Sequence, residues 1–406
     1  MSSRIHAFVF LCLRLTLSLV LAVSLMPSPA SAGSLSANTV AKVQRAITFQ
    51  QQNKWQEARA VLEGMPTANL YPAKNYDAAF VHRMLGSLYW QLEEPNKAIK
   101  ALRSAVDSHE LEQSAQRSAQ RMLADILLSQ ARYDEALTRY YSLTADKPQA
   151  SSDQSVLTKE LADIWLRIAQ AHYQNQQAKQ ALRAVEKHLS LTAAKVSSLS
   201  LKLGAQITLK HWKGSIMTLK QLLRLEPTNK TWWLQLAGSY QQLNQPAKML
   251  NTLVLATREG IKLSSSEKKM MAQLYAQQGV PEKAAALMHE LNADEAKAGS
   301  LAIEASYWHK AKEWENAMAS WQRAAEKDNQ YRLALAQLQL QRGLYRDALV
   351  NFALVTEQNQ EAPVALAQAM AYAKLGDLDN ALQHAKRAHE IEPTAQSESW
   401  IQYLSH

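Results

Sequence analysis

The chain has 406 residues, of which 47% are hydrophobic, and its 11 Gly and 11 Pro favour helices over a sheet fold or a disordered tail. Its formal net charge of +9 would ordinarily suggest a nucleic-acid partner. However, Lys and Arg are scattered with Glu and Asp along stretches such as 112–121 and 313–327, a pattern typical of a solvated helical surface. The charge alone therefore does not indicate nucleic-acid binding.

The first thirty residues have the pattern of a secretory signal peptide. Arg4 and Arg14 precede an apolar run of eleven residues, and the small-residue triplet Ala30-Ser31-Ala32 follows it. The alternative is an uncleaved membrane anchor, but the run is shorter than the roughly 20 residues that span a bilayer. We therefore predict that residues 1–32 are removed.

The only cysteine, Cys12, lies inside this predicted signal peptide. The exported chain would therefore contain neither a thiol nor a disulfide, which suits a periplasmic protein stabilised by helix packing. Export also argues against a nucleic-acid partner.

A repeated pattern of paired helices follows, and it is clearest in residues 362–393. Two amphipathic runs at helical spacing are separated by a glycine-containing turn, and Pro393 ends the second. Ala369 and Ala381, twelve residues apart, are small where the two helices must approach closely, and Tyr372 fills the space between them. The pattern predicts two helices that fold back on each other.

The interval of twelve between small residues recurs in the units before this one. It separates Ala46 from Ala58, Gly86 from Ala98, Ala124 from Ala136, and Ala169 from Ala181. The fifth unit is the most degraded, with Ser215 or Ile216 where alanine is expected. The early units are also spaced more widely than the later ones, which places extra residues at 66–74 and 145–155 and predicts a loop insertion at 149–158.

This unit resembles the tetratricopeptide repeat (TPR), in which a small residue, an aromatic three later, an alanine twelve later and a terminal proline recur. The resemblance covers residues 40–393 and implies an all-α fold, a right-handed superhelical solenoid of about ten helix–turn–helix repeats. The expected organisation is a signal peptide (1–32), an N-terminal array (33–148), a loop insertion (149–158), a C-terminal array (159–393) and a capping helix or tail (394–406).

The sequence contains no pattern typical of a catalytic or metal site. It lacks a Gly-rich phosphate loop and a Gly-x-Ser-x-Gly motif, and His384 and His389 are five apart and so do not share a helical face. Trp314 and Trp321 share a face with Ala317, which indicates packing between helices rather than a ligand site. We therefore expect no enzymatic activity and no cofactor.

In TPR proteins the first helix of each repeat lines a concave groove that binds an extended peptide or a partner helix. Arg and aromatic residues, which dominate binding energy at interfaces, occupy this face mainly in the N-terminal third. The alternative is that Arg121 and Asp125 form an ordinary surface pair and that Trp90 covers a neighbouring helix. The asparagine that recognises a C-terminal carboxylate in some TPR domains is replaced by Ser87 and Asp125. The predicted partner-binding residues are Phe80, Arg83, Ser87, Trp90, Arg121, Asp125, Gln170 and Tyr173.

The overall layout is similar to that of periplasmic TPR proteins associated with TonB energy-transduction systems. That resemblance implies a non-catalytic scaffold that binds protein partners, such as components of a TonB complex or other envelope proteins. One alternative is a scaffold for the assembly of outer-membrane proteins, pili or exopolysaccharide. Another is a glycan-binding accessory module that would use exposed tryptophans.

Overall fold

The protein was analysed as a computed structural model that describes residues 35–145, 154–293, 296–355 and 361–405. The predicted signal peptide lies outside the described residues, as do residues 149–153 of the predicted insertion. In the described residues all regular structure is helical, with 21 α-helices, two short 3₁₀ helices and no strand. The all-α prediction is confirmed.

The chain divides into two compact units, with the division after Gln177. The helices of the first unit are α1 (Ala37–Gln51), α2 (Trp55–Glu63), α3 (Tyr76–Gln91), α4 (Pro95–Asp107), α5 (Gln113–Ser129), α6 (Tyr133–Ala145) and α7 (Gln154–Gln174). Those of the second are α8 (Ala178–Leu191), α9 (Val196–Thr208), α10 (Trp212–Leu225), α11 (Lys230–Gln242), α12 (Pro246–Arg258), α13 (Ser265–Gln277), α14 (Pro281–Leu291), α15 (Ala298–Lys310), α16 (Trp314–Lys327), α17 (Arg332–Gln341), α18 (Tyr345–Ala353), α19 (Glu361–Lys374), α20 (Leu378–Ile391) and α21 (Ala395–Leu404).

Ten of the turns between consecutive helices, those at the positions where the repeat pattern predicts a turn inside a unit, contain one residue with positive φ, between 53° and 82°. The N–H that follows bonds back to the carbonyl five residues earlier, as from Lys54 to Phe49 and from Asp377 to Tyr372. Gly376 reveals this turn in the sequence, because glycine adopts positive φ without steric cost. Most of the other turns use residues such as Asn53, so composition does not mark them.

The small residues predicted at the helix crossings are buried as expected. Ala98, Ala136, Ala317 and Ala381 are each 0% exposed. At Gly86 in α3 the approach is closer still, because a Cβ built there would overlap the side chain of Leu102 in α4. Close packing of backbone against side chain therefore sets the residue size at these positions.

The fifth pair, α9 and α10, is well packed although it lacks the alanine. Ile216 takes that position and is buried in an apolar cluster that extends from Leu199 to Leu274. Ser215 beside it is also buried, and its hydroxyl bonds to the carbonyl of His211. At this crossing, Ile216 takes the place of alanine, and its larger side chain packs into the apolar cluster.

The expected loop at 149–158 is wrong in its last five residues. Helix α7 already begins at Gln154, and the hydroxyl of Thr158 bonds to the carbonyl of Gln154 one turn earlier. At the other end of the chain, residues 395–404 form the helix α21, which packs against α20. In the part of the chain described here, no helix is both long and apolar enough to cross a membrane.

Candidate partner-binding surface

The eight predicted partner-binding residues lie on the first helices of three consecutive pairs, α3, α5 and α7, all in the first unit. We call this set the partner surface. Helix α3 contributes residues at spacings of three and four, which lie along one helical face. Every member is partly exposed, and none is buried in the core. The members are Phe80, Arg83, Ser87 and Trp90 on α3, Arg121 and Asp125 on α5, and Gln170 and Tyr173 on α7.

Arg83 lies on an aromatic platform. Its guanidinium carbon is 5.1 Å from the centroid of the Phe80 ring, and the Phe80 ring lies 6.2 Å from that of Tyr76. A guanidinium over an aromatic face is held by the ring quadrupole and by stacking. The platform therefore fixes the direction in which the cation points.

No carboxylate of the described residues forms an ion pair with Arg83, and its Nε is buried without a hydrogen-bond partner. Burial lowers the pKa of Arg83, and the phenol of Tyr76 offsets this only in part. Burial, and then the charge of Glu112, raises the pKa of the Tyr76 phenol. Arg83 is thus a partly desolvated cation without a counterion among the described residues, and it can bind a carboxylate from outside.

Arg121 and Asp125 do not form the surface pair that the spacing suggested. Arg121 is 3.8 Å from Asp163, and Asp125 is 3.7 Å from Arg167, so both pair with helix α7. Arg117 adds a third ion pair, at 3.0 Å, with Glu160. These contacts join two neighbouring first helices. The sequence signal for them is a row of charges at helical spacing on α5, four and four residues apart, facing a row of opposite charges on α7, three and four residues apart, and it was not recognised.

Asp125 has a second structural role. Its carboxylate accepts a hydrogen bond of 2.5 Å from the hydroxyl of Tyr140, a fully buried side chain of α6. Burial, and then the charge of Asp125, raises the pKa of Tyr140 well above its usual value. Asp125 therefore satisfies a buried hydroxyl, and its availability to a partner is reduced.

The remaining members of the partner surface differ in their hydrogen bonds to other residues of the protein. Gln170 accepts a hydrogen bond of 3.3 Å from Arg167. Within the described residues, no side-chain hydrogen bond involves Ser87, Trp90 or Tyr173. Trp90 is partly exposed, whereas Tyr89 is 7% exposed, as expected for neighbours that point about 100° apart on a helix. Arg83 and Trp90 are thus the members most available to a partner.

The described residues contain no group of three His, Cys, Asp or Glu side chains placed to hold a metal ion. His384, one of the two histidines considered above, stacks on Tyr372 with ring centroids 5.2 Å apart. Burial, and then the charge of Arg387, lowers its pKa. His384 therefore packs against its own helix pair.

Two stretches of the chain match family models described as tetratricopeptide repeat, residues 83–152 and residues 362–394. These two stretches are therefore similar to tetratricopeptide repeats, and the first match includes most of the partner surface. No curated protein matches the chain.

Several solved structures of TPR proteins are similar to the chain. YrrB, described as a TPR protein with an unusual peptide-binding site, is 17% identical; the match covers 46% of this chain and 97% of YrrB, with a TM-score of 0.36. The C-terminal part of a TPR repeat-containing protein from Cytophaga hutchinsonii is 14% identical over 71% of this chain and 95% of its own, with a TM-score of 0.40. A tetratricopeptide repeat protein from Parabacteroides merdae is 12% identical over 68% and 99%, with a TM-score of 0.37.

Proposed function

We propose that this protein is a non-catalytic scaffold that binds a protein partner through the partner surface of its first unit. Tetratricopeptide repeats generally mediate protein–protein interactions, and the matched stretches are of this type. The observation that supports the proposal most directly is the state of Arg83, a partly desolvated cation on Phe80 without a carboxylate partner among the described residues. An unpaired buried charge is costly to a folded chain unless a ligand compensates it.

The chemistry around Arg83 suits a partner that presents an acidic side chain next to an apolar one. A carboxylate can accept two parallel hydrogen bonds from the guanidinium, and such bonds are stronger where water is partly excluded. Trp90, two turns further along α3, offers a partly exposed ring for apolar contact. Arg and Trp are the residue types that most often dominate binding energy at protein interfaces.

We further propose that the partner belongs to a TonB energy-transduction system and that the protein acts in the periplasm. The signal-peptide pattern of residues 1–32 and the absence of cysteine after Cys12 support export. The arrangement of repeats, with the extra residues early in the chain, supports the TonB association by resemblance alone. A scaffold for another envelope assembly would use the same surface.

The glycan-binding alternative has less support from the structure. A glycan site would need several exposed tryptophans in one groove, and all ten tryptophans of the chain are only partly exposed. In the second unit, Trp314 contacts His309 and Arg342, and Trp321 contacts Tyr331. These rings therefore pack against their own neighbours.

The experiment that tests the proposal is crosslinking of the protein in the periplasm, followed by purification and identification of the bound proteins. We expect a defined partner with wild type and its loss when Arg83 and Trp90 are replaced by Gln and Ala. A partner that is retained by this variant would show that the working surface lies elsewhere. A partner outside the TonB system would leave the scaffold proposal standing and remove the TonB association.

A further inference from the structure

The positive charge of the chain is concentrated in one part of the second unit. Residues 178–258, which form helices α8 to α12, contain twelve Lys and Arg and two Glu, whereas the whole chain has a net charge of only +9. The mixture of acidic and basic residues seen at 112–121 and 313–327 is therefore nearly absent here. The stretch 187–225 contains seven Lys and Arg and no acidic residue at all.

Helix α10 presents its share of this charge on one face. Lys213, Met217, Lys220 and Arg224 are separated by four, three and four residues, so they lie along one side of the helix. All four are exposed, and Met217 is 66% exposed. The other side of the helix is buried against α9 and α11. Leu225, at the end of α10, adds a second large apolar side chain that is 50% exposed.

Helix α8 presents a similar row. Lys179, Arg183 and Lys187 follow each other at intervals of four, and all are exposed. Helices α8 and α10 both pack against α9. Of the residues that form α8 and α10, one is acidic, Glu186. Its carboxylate is 3.6 Å from Lys202, a lysine outside the two rows, which partly compensates its charge.

We propose that these two rows form a docking surface for an anionic lipid bilayer. We call it the basic face: Lys179, Arg183 and Lys187 of α8, with Lys213, Met217, Lys220 and Arg224 of α10. Basic residues clustered on an amphipathic helix are attracted to anionic headgroups, and apolar side chains among them enter the boundary between headgroup and acyl chain. Met217 and Leu225 are the side chains that would enter.

The composition of the basic face favours a lipid surface over a macromolecular partner. Protein interfaces depend on Trp, Tyr and Arg anchors, and single-stranded nucleic acids need aromatic rings on which bases stack. The large exposed apolar residues of α10 are Met217 and Leu225, with no aromatic among them. Lysine, the commoner basic residue here, acts as a compact point charge that does not require a defined acceptor geometry. The basic face lies in the second unit and is independent of the partner surface.

The test is co-sedimentation of the purified protein with vesicles. We expect binding to phosphatidylcholine vesicles that contain about one third phosphatidylglycerol, no binding to phosphatidylcholine alone, and weaker but still measurable binding as salt is raised. The variant Lys213→Gln, Lys220→Gln, Arg224→Gln should bind at least about tenfold more weakly, since each basic residue near an anionic surface contributes to the attraction.

A matched control removes the same charges elsewhere in the second unit: Lys262→Gln, Lys269→Gln, Arg346→Gln, all at exposed positions. It should bind within about twofold of wild type, because charges away from the bilayer are screened within a Debye length. Both triple variants should have the melting temperature of wild type. If the triple variant of α10 melts lower, the single variants Lys213→Gln, Lys220→Gln and Arg224→Gln are compared with wild type instead.

Equal losses in the two triple variants would overturn the proposal, because net charge rather than the basic face would then decide binding. Met217→Gln should weaken the binding that persists at higher salt. If Met217→Gln binds vesicles like wild type, or if the protein binds heparin or DNA but not vesicles, the face recognises a soluble polyanion and the lipid proposal is wrong.

Discussion

The buried carboxylate of Glu304 accepts a hydrogen bond of 2.8 Å from Nδ1 of His289, and the two residues join α15 to α14. Glu304 is 0% exposed, and it also accepts hydrogen bonds of 2.8 Å from Asn292 and Ser320. Most other first helices have an apolar residue at the same repeat position: Leu85, Leu123, Ile168, Leu203, Leu236, Met271 and Leu335. The eighth pair therefore has a buried, hydrogen-bonded carboxylate where most other pairs have an apolar side chain.

This contact should make the stability of the second unit depend on pH. Burial raises the pKa of Glu304, but the hydrogen bonds from Asn292, His289 and Ser320 together hold it below its usual value. A lowered folded-state pKa means that the stabilisation is present above the pKa of the unfolded chain and is lost as the pH falls through the folded pKa. We expect urea denaturation to show a decline in stability below about pH 4.5.

The variant Glu304→Gln isolates this effect. Its amide would bring a donor toward the donors of Asn292 and Ser320, so we expect a loss of about 2 kcal/mol at pH 7 and a flatter profile in acid. The control is Glu315→Gln at an exposed position of α16. It should leave the stability at pH 7 and the acid profile unchanged. An acid profile identical in wild type and Glu304→Gln would assign the pH dependence to other carboxylates.

Gly86 and Gly238 should respond in opposite directions to alanine. Both lie inside helices, where Gly→Ala alone stabilises by about 1 kcal/mol. A Cβ at Gly86 would overlap Leu102, whereas one at Gly238 would meet nothing within 4 Å. Overpacking costs about 1–3 kcal/mol, so Gly86→Ala should lower and Gly238→Ala should raise the melting temperature. Stabilisation by both would show that Leu102 moves aside freely.

Asp125 should behave as a structural residue. The change Asp125→Ala leaves the hydroxyl of buried Tyr140 without its acceptor, which we expect to cost about 1–3 kcal/mol. Adding Tyr140→Phe should recover part of that loss, because the unsatisfied hydroxyl is then gone. Ser87→Ala on the same surface is the control and should change stability by less than about 0.5 kcal/mol. Equal, small effects of Asp125→Ala and Ser87→Ala would leave Asp125 available to a partner.

The sequence predicts the helix pairs of this fold well and their connections less well. Small residues twelve apart, such as Ala369 and Ala381, mark most of the crossings because helices must approach closely there. The turns escape notice because residues such as Asn53 and Lys312 adopt positive φ at a modest energetic cost that glycine avoids. Gln154 was assigned to a loop because polar residues precede it, although the helix had already begun.

The partner surface was predicted only as a set of positions. Helical spacing places Arg83, Arg121 and Asp125 on first helices, but it does not reveal which charges find partners across helices. The structure separates Arg83, which lacks a carboxylate among the described residues, from Arg121, which pairs with Asp163. Such pairing depends on contacts between residues about 40 apart in sequence, which local periodicity does not report.

If the TonB association is right, iron supply should reveal it. A strain that lacks the protein should grow poorly when iron arrives only as siderophore or haem, because uptake of these ligands across the outer membrane needs the energy-coupling complex. Growth should recover with freely soluble iron and with a plasmid copy of the wild-type gene. Equal growth on every iron source would remove the TonB association and leave the scaffold proposal intact.

The partner surface itself is tested by Arg83→Gln and Trp90→Ala, separately and together. Removing a partly desolvated charge that lacks a counterion should not destabilise the fold, so Arg83→Gln should change the free energy of unfolding by less than about 0.5 kcal/mol. Affinity for the partner should fall by about 2 kcal/mol or more, some thirtyfold, because Arg and Trp anchors have effects of this size at interfaces.

Arg45→Gln is the matched control, because Arg45 also lies over a phenylalanine ring, that of Phe49 at 5.6 Å, but on the exposed surface of α1 outside the partner surface. It should leave affinity within about twofold of wild type. Weaker binding by Arg45→Gln and Arg83→Gln alike would point to a general effect of net charge. A lower melting temperature for Trp90→Ala with unchanged affinity would show that Trp90 only covers its neighbouring helix. The acidic side chain of the partner would then bind Arg83 without an apolar contact to Trp90 beside it.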